Sequence, residues 1–138
     1  MTRIFAYLTF NGNCREAMTF YQECLGGELT LQTIGESPLT EKMPGHMKQH
    51  ILHATLQKDG LVLMATDMVG DQGLSSGNTI SMMLDCTDEE EARSYYEKLS
   101  AGGQASQQLQ PTFWGALFGG LTDKYGNHWL LNFSNNAK

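Results

Sequence analysis

The chain has 138 residues, of which 41% are hydrophobic and 17% are charged, and these proportions are typical of one packed globular domain. The formal net charge of −6, with only nine basic residues, argues against a nucleic-acid or anionic-membrane surface. No apolar run approaches the roughly 20 residues of a membrane span, and the first residues lack the apolar core of a signal peptide. Because an odd count of three cysteines suits a reducing compartment, we expect a cytoplasmic protein.

The first half of the chain predicts a strand, a helix and three further strands. A strand is predicted from Ile4 to Phe10. Asn13 and Glu16 have the spacing of a capping box, and the apolar residues that follow keep helical spacing until Gly26 and Gly27. The three further strand-like runs cover residues 28–34, 51–57 and 61–66.

The second half repeats this order of elements. The segment "EAMTFYQECLGGE" at 16–28 aligns with "EARSYYEKLSAGGQ" at 91–104, at an offset of 75 residues. Thr87 and Glu90 form the corresponding predicted capping box. The predicted strands cover residues 79–85, 104–110, 116–122 and 128–133.

Between the halves, a segment rich in Gly, Ser and Asp is typical of a linker. Half of the chain is too small to hold a robust core alone, so we expect both repeats to belong to one domain, 1–138. Repeat one then covers about 1–67, the linker about 68–77 and repeat two about 78–134.

Three stretches carry a family resemblance: "YLTFNGNCREAMTFYQECLGG" near the start, and "FWGALFG" and "DKYGNHW" near the end. With the tandem βαβββ order, they resemble the PhnB-like branch of the vicinal oxygen chelate superfamily, which includes glyoxalase I, bleomycin-resistance proteins and extradiol dioxygenases. The resemblance covers nearly the whole chain. It implies an α+β fold in which the repeats form a curved eight-stranded mixed sheet around a cleft, with the helices on its outer face. It also implies a homodimer.

Strand alternation predicts which side chains line that cleft. The more apolar faces, which include Leu52, Ile80, Trp129 and Leu131, should turn to the helices, and the more polar faces to the cleft. A largely apolar pocket with a few polar groups is typical of small-molecule sites. For the aromatic residues of "FWGALFGG", the pocket wall and the core are equally favoured. The predicted ligand-binding residues are Tyr7, Thr9, His53, Thr55, Met64, Thr79, Ser81, Trp114, Phe118, His128, Leu130 and Asn132.

The resemblance also implies where a metal ion would bind. Metal-dependent members of the superfamily place His, Gln or Glu on the first and last strand of each repeat. In this chain those four positions carry Phe5 or Ala6, Leu63 or Met64, Thr79, and Leu130. Because such side chains are not ligands for a divalent cation, we predict no metal site and no other cofactor.

Three histidines in "HMKQHILH" offer an alternative metal site. On a helix, His46, His50 and His53 would share one face. The alternation from Leu52 to Leu56 instead favours a strand, which sends His50 and His53 to opposite faces. A role for His53 as a hydrogen-bonding residue of the cleft is therefore favoured over metal binding.

The function predicted from these patterns is the binding of a small molecule. No Gly-rich turn of a nucleotide cradle follows a strand, so the demethylubiquinone methyltransferase activity often attached to PhnB-like proteins finds no support in the sequence. The alternative is an enzyme of glyoxalase, lyase or dioxygenase type. It would use an atypical metal, or His53 or His128 as an acid-base group.

Overall fold

The computed structural model describes residues 1–134, and the chain divides into two compact units, Met1–Ser75 and a second that begins at Ser76. Each unit contains one repeat. The first consists of β1 (Ala6–Thr9), α1 (Cys14–Leu25), β2 (Glu28–Thr33), β3 (Ile51–Lys58) and β4 (Leu61–Thr66). The second consists of β5 (Met82–Asp85), α2 (Glu89–Ser100), β6 (Gln104–Pro111), β7 (Ala116–Thr122) and β8 (His128–Ser134).

Each repeat forms a four-stranded mixed sheet, and the two sheets have the same topology. Sheet A has the order β1-β4-β3-β2, and sheet B has the order β5-β8-β7-β6. In each sheet the first strand of the repeat is parallel to the last, and the other pairs are antiparallel. The two helices have 12 residues each and begin at Cys14 and Glu89, at the predicted offset of 75. The predicted α+β class with eight strands in tandem βαβββ repeats is confirmed.

The repeats differ most between their second and third strands. In repeat one this connection contains three short 3₁₀ helices, Ile34–Glu36, Pro38–Glu41 and Gly45–Met47. In repeat two a short turn joins β6 to β7. Neither α1 nor α2, the α-helices of residues 1–134, is long and apolar enough to cross a membrane.

α1 covers one face of sheet A and contributes buried side chains to its core. Met18 and Tyr21 are fully buried, as are Ala54 and Leu56 on β3. These helix and strand positions recur with helical and alternating spacing, respectively, which is why each element has one buried face. The face of sheet A that points away from α1 is called its open face below.

α2 covers sheet B in the same way. Its Ala92 and Leu99 are fully buried, and Trp129 and Leu131 on β8 are buried as their alternation predicts. Phe133, which shares that alternation, is only half-buried near the end of the strand. The face of sheet B opposite α2 is its open face.

The alternation on β3 is interrupted near its start. The register between β2 and β3 shifts between Gln32 and Thr33, as happens at a β-bulge. Ile51 is therefore fully buried, whereas Leu52, which we expected on the helix side, is half-buried.

The strand predicted at 79–85 begins later than expected. β5 starts at Met82, where its pairing with β8 begins, so Thr79, Ile80 and Ser81 precede it. The assignment of Ile80 to the helix-facing side was wrong, because its side chain is 79% exposed. β1 likewise begins only at Ala6, since a run of strand-forming residues becomes a strand only where it has a partner.

The predicted capping box of α1 does not form. Asn13 occupies the N-cap position, but its side chain accepts a hydrogen bond from the backbone N–H of Asn11. The buried carboxylate of Asp67 takes its place, because it accepts from the N–H groups of Gly12 (2.8 Å) and Cys14 (3.0 Å). The cap comes from a residue that follows β4, far along the chain.

The cap of α2 is local, but it is shifted by one residue from the prediction. Asp88, not Thr87, is the N-cap, and its side chain accepts from the N–H of Glu91 at 2.7 Å. The carboxylate of Glu91 in turn accepts from the N–H of Thr87 at 3.1 Å. The acidic first turn of α2 thus stabilises the start of the helix.

Candidate functional site

Three polar side chains lie together on the open face of sheet A. Tyr7 Oη is 3.5 Å from His53 Nδ1, and Thr55 Oγ1 is 3.2 Å from His53 Nε2. The ring centroids of Tyr7 and His53 are 6.0 Å apart. Tyr7 is 53% exposed, whereas His53 and Thr55 are half-buried. We call Tyr7, His53 and Thr55 the sheet A cluster.

Strand register explains why these residues meet. Tyr7 on β1 and Thr55 on β3 both pair with Met64 on β4, so the three side chains form one row across the sheet. His53 lies two residues from Thr55 on the same face. Its two ring nitrogens contact the hydroxyl groups of Tyr7 and Thr55. Thr9, two residues beyond Tyr7, is exposed at the end of β1 and pairs with Thr66.

The hydrogen-bond partners of His53 leave its tautomer open. Both ring nitrogens meet hydroxyl oxygens, and a hydroxyl can donate as well as accept. Either nitrogen can therefore carry the proton of the neutral ring. This freedom is what a side chain needs if it is to move a proton or adapt to a ligand.

His128 on sheet B has the opposite character. Its Nε2 is 3.1 Å from the backbone carbonyl oxygen of Gly77, and its Nδ1 is 2.9 Å from Thr122 Oγ1. A carbonyl can only accept, so Nε2 carries the proton and Nδ1 of the neutral ring accepts from Thr122. His128 is held in one tautomer by partners within the second unit, which favours a structural role over acid-base chemistry.

The middle of the open face of sheet B is apolar. Leu130 pairs with Met83 on one side and with Gly120 on the other. A Cβ on Gly120 would be 3.0 Å from Leu130 Cδ2, so the leucine side chain covers the glycine. Met83 is exposed and Leu130 is half-buried, and together they provide a surface for apolar contact.

Polar residues border this apolar area. Asn132 Nδ2 donates to Asp85 Oδ1 at 3.0 Å across the β5–β8 pair. On its other side, Asn132 pairs with Phe118 on β7, and Phe118 pairs in turn with Gln110 on β6. Asp85 was missing from the predicted site, although its alternation with Met83 on β5 was a signal that could have identified it.

The remaining predicted residues lie away from the strand faces. Trp114 is in the turn between β6 and β7, where its ring packs edge-on against Phe113 at 4.9 Å. Thr79 and Ser81 are exposed residues of the segment before β5. A ligand-binding role for these three residues stays a prediction.

The residues at the superfamily's metal positions do not fit a divalent cation. Met64 and Leu130 occupy corresponding places, each in the middle of the last strand of its repeat, and neither side chain is a ligand for a hard cation. Within residues 1–134, no group of three or more His, Cys, Asp or Glu side chains could hold a metal ion.

The three histidines of "HMKQHILH" are dispersed. His46 is exposed in a 3₁₀ helix, and His53 belongs to the sheet A cluster. The ring of His50 lies beside Gly12, where a Cβ would be 3.5 Å from its Nε2, and its Nδ1 is buried without a hydrogen-bond partner. They do not form the alternative metal site.

Two buried thiols are unsuited to nucleophilic chemistry. Burial, and secondarily the charge of Asp67, raises the pKa of Cys14 to about 12. Burial, and secondarily the charge of Glu91, raises the pKa of Cys86 to about 11. A thiol must become a thiolate to attack, so neither is activated near neutral pH.

The "DKYGNHW" motif forms a turn. One carboxylate oxygen of Asp123 accepts from the N–H groups of Tyr125 (2.8 Å) and Asn127 (3.0 Å), and the other accepts from Trp129 Nε1 (2.8 Å). Gly126 has a φ of 89°, which favours glycine. The motif therefore fixes the β7–β8 turn and anchors a core tryptophan.

These features define a protein of the vicinal oxygen chelate fold, with two βαβββ units and no suitable side chains at the superfamily's metal positions. The family model described as 3-demethylubiquinone-9 3-methyltransferase matches residues 2–132, and the chain belongs to this PhnB-like family. Protein YjdN of Escherichia coli is 34% identical over 135 residues, which cover 91% of each chain.

Solved structures share the same fold. Protein PA1353 from Pseudomonas aeruginosa is 36% identical, with a TM-score of 0.85 and coverage of 97% of this chain and 98% of that one. A putative 3-demethylubiquinone-9 3-methyltransferase, the PhnB protein from Bacillus cereus, is 24% identical, with a TM-score of 0.73 and coverage of 96% and 100%. More distant glyoxalase/bleomycin resistance and fosfomycin resistance proteins, at 14% identity, share the fold alone, with TM-scores of 0.63 and 0.65.

Proposed function

We propose that this chain binds a small, partly apolar molecule without a divalent metal ion, and that the sheet A cluster makes the polar contacts. The observation that supports this proposal most strongly is the chain of hydrogen bonds from Tyr7 through His53 to Thr55 on the open face of sheet A. Tyr7 is exposed, and Thr55 is half-buried on the same face. A few convergent polar groups beside apolar surface are typical of small-molecule sites.

The apolar contacts are assigned to side chains of the same open face of sheet A, such as Met64, which pairs with both Tyr7 and Thr55. Methionine adapts to irregular apolar shapes, which suits a binding surface.

We also propose that the repeats act as one domain in a cytoplasmic homodimer. Exposed apolar side chains such as Ile80 and Phe113 support an additional contact surface.

A ligand screen with a matched pair of variants tests the proposal. Thermal unfolding of the full chain should show stabilisation by members of a metabolite library, by about 2.7 kcal/mol at a ligand concentration 100 times its Kd. The stabilisation should decrease in Tyr7→Phe and persist in Tyr125→Phe, whose ring lies in the β7–β8 turn. If no compound stabilises the protein, binding is not its function.

Elemental analysis tests the metal-free part separately. Protein purified without chelator should contain no stoichiometric Fe, Mn, Ni or Zn. A stoichiometric metal that disappears in His53→Ala or His128→Ala would overturn this part.

Sedimentation should give the mass of a dimer, and a monomer mass would refute the proposed assembly.

A second candidate function is an enzyme of glyoxalase, lyase or dioxygenase type that uses His53 as an acid-base group. The two hydroxyl partners of His53 favour it, because they permit either tautomer. Turnover that is lost in His53→Gln while ligand binding persists would favour the enzyme. We do not propose methyl transfer, the activity in the family's description, because the residues of this chain supply no separate support for it.

A further inference from the structure

We propose that the sheet A cluster recognises an anionic oxygen of its ligand, such as a carboxylate oxygen; this inference rests on the proposed function. Both ring nitrogens of His53 meet hydroxyl oxygens, Tyr7 Oη at 3.5 Å and Thr55 Oγ1 at 3.2 Å. Each hydroxyl can accept one hydrogen bond from the ring and donate its own hydrogen outward. The cluster therefore transmits the charge state of His53 to the hydroxyl of the exposed Tyr7 and to that of the half-buried Thr55.

The charge on His53 decides what the hydroxyl groups offer. With a neutral ring, one nitrogen donates and the other accepts, so one hydroxyl donates outward and the other presents a lone pair. With a charged ring, both nitrogens donate, and both hydroxyl hydrogens are left for the ligand. A hydroxyl that donates outward from a positive ring suits an anionic oxygen, because charge-assisted hydrogen bonds are stronger than neutral ones.

The strands around His53 place no counter-ion beside its ring. Glu28 is the only carboxylate on the strands of sheet A, and it pairs with Gln57, four residues or about 13 Å along β3 from His53. Lys58, at the end of β3, is the only Lys or Arg on these strands. Tyr7 is the other titratable residue of the cluster itself. Asp67, just after β4, is buried and accepts from three backbone N–H groups.

The helix packed against β3 does not supply a counter-ion either. α1 lies on the opposite face of sheet A, and so do the titratable residues it carries. They are Cys14, Arg15, Glu16, Tyr21, Glu23 and Cys24. On the strands of sheet A and on α1, no carboxylate is thus placed beside His53 on the open face, and the proposal gives the role of counter-ion to an anionic oxygen of the ligand.

The test compares benzoate with benzamide, two probes of the same shape that differ in charge. Their affinities for the full chain are measured by NMR chemical-shift titration at about pH 5.5 and about pH 8.5, since histidine usually changes charge between these values. Benzoate should bind at least about fivefold more tightly than benzamide at the lower pH. The preference should approach parity at the higher pH, and the perturbed signals should include Tyr7, His53 and Thr55.

Variants assign the preference to the cluster. His53→Gln should abolish it, and Tyr7→Phe, which removes one donor but keeps the ring, should reduce it. His46→Gln removes an exposed histidine outside the sheets and should leave it unchanged. Circular dichroism and a cooperative thermal transition verify that each variant is folded.

Three outcomes overturn the inference: equal affinity for the two probes at the lower pH, a preference that persists in folded His53→Gln, or binding of neither probe. The proposed function fails by a different result, namely the lack of stabilisation by any compound of the metabolite library. A protein that binds neutral library compounds but does not prefer benzoate would retain the function and refute the anion recognition.

Discussion

The carboxylate of Asp67, directly after β4, accepts a hydrogen bond from the backbone N–H of Cys14, the first residue of α1, at 3.0 Å. It also accepts from the N–H of Gly12 at 2.8 Å and, through its other oxygen, from the N–H of Ile51 at 2.8 Å. Asp67 is 3% exposed, so these bonds replace its hydration. One side chain thus connects the end of β4 to the beginnings of α1 and β3.

We expect Asp67→Asn to lower the free energy of unfolding by about 2–3 kcal/mol, because an amide replaces one acceptor oxygen with a donor that faces N–H groups. Urea denaturation measures the change. Asp71→Asn, at an exposed position of the linker, is the matched control and should remain within about 0.5 kcal/mol of the original. An equally small effect at Asp67 would show that its carboxylate is not the cap of α1.

Tyr96 connects α2 to sheet B in a comparable way. Its hydroxyl, which has one hydrogen to donate, lies within hydrogen-bond distance of the backbone carbonyl oxygens of Gln107 (2.7 Å) and Gly120 (3.0 Å), where the β6–β7 register shifts. Tyr96→Phe leaves these carbonyls without that donor, and we expect it to lower the free energy of unfolding by about 1–2 kcal/mol. Tyr7→Phe, which removes an exposed and longer hydrogen bond, should change it by less than about 0.5 kcal/mol. Equal effects in urea denaturation would contradict the assigned role of Tyr96.

The elements that local pattern determines were predicted well from the sequence. The bounds of β4 and β7 match the prediction, and both helices end just before their glycine pairs. The errors occur where residues far away in the sequence determine the cap or the start of an element. The cap of α1 comes from Asp67, and β5 begins where Trp129 on β8 becomes available as a partner. Neither contact has a local signature.

The candidate site was predicted only in part, for a similar reason. Alternation placed Tyr7, His53 and Thr55 on the predicted cleft-lining faces of their strands, but only the register through Met64 shows that Tyr7 lies in one row with Thr55. His53 and His128 looked equivalent in the sequence. The carbonyl of Gly77, far along the chain from His128, is what separates a fixed histidine from an adaptable one.

The raised pKa values of Cys14 and Cys86 predict a loss of stability at alkaline pH. The folded-state pKa values are about 12 and about 11, and the unfolded value is 9.0. At pH values between the unfolded and folded pKa, the folded state therefore holds more protons than the unfolded state. This contribution is complete below about pH 9 and is lost as the pH rises towards 11 and 12. Urea denaturation at several pH values between 8 and about 10.5 should show it.

A double variant isolates the thiols from other groups that titrate in that range. Cys14→Ala with Cys86→Ala should flatten the decline in stability above pH 9, although it lowers stability overall because both sites are buried. In the unmodified chain, native Cys14 and Cys86 should react with a disulfide reagent at pH 8 far more slowly than in denaturant. Rapid labelling of either native thiol would contradict the burial argument.

The difference between the two site histidines predicts distinct NMR signatures. In the neutral state His128 should carry its proton on Nε2, because the carbonyl oxygen of Gly77 can only accept. Long-range ¹H–¹⁵N spectra, which distinguish the ring nitrogens, should show this tautomer for His128 and a mixture for His53, whose partners are both hydroxyls. Thr122→Val removes the partner of Nδ1 and should leave the proton on Nε2. A neutral His128 with its proton on Nδ1 would refute the fixed arrangement and restore this residue as an acid-base candidate.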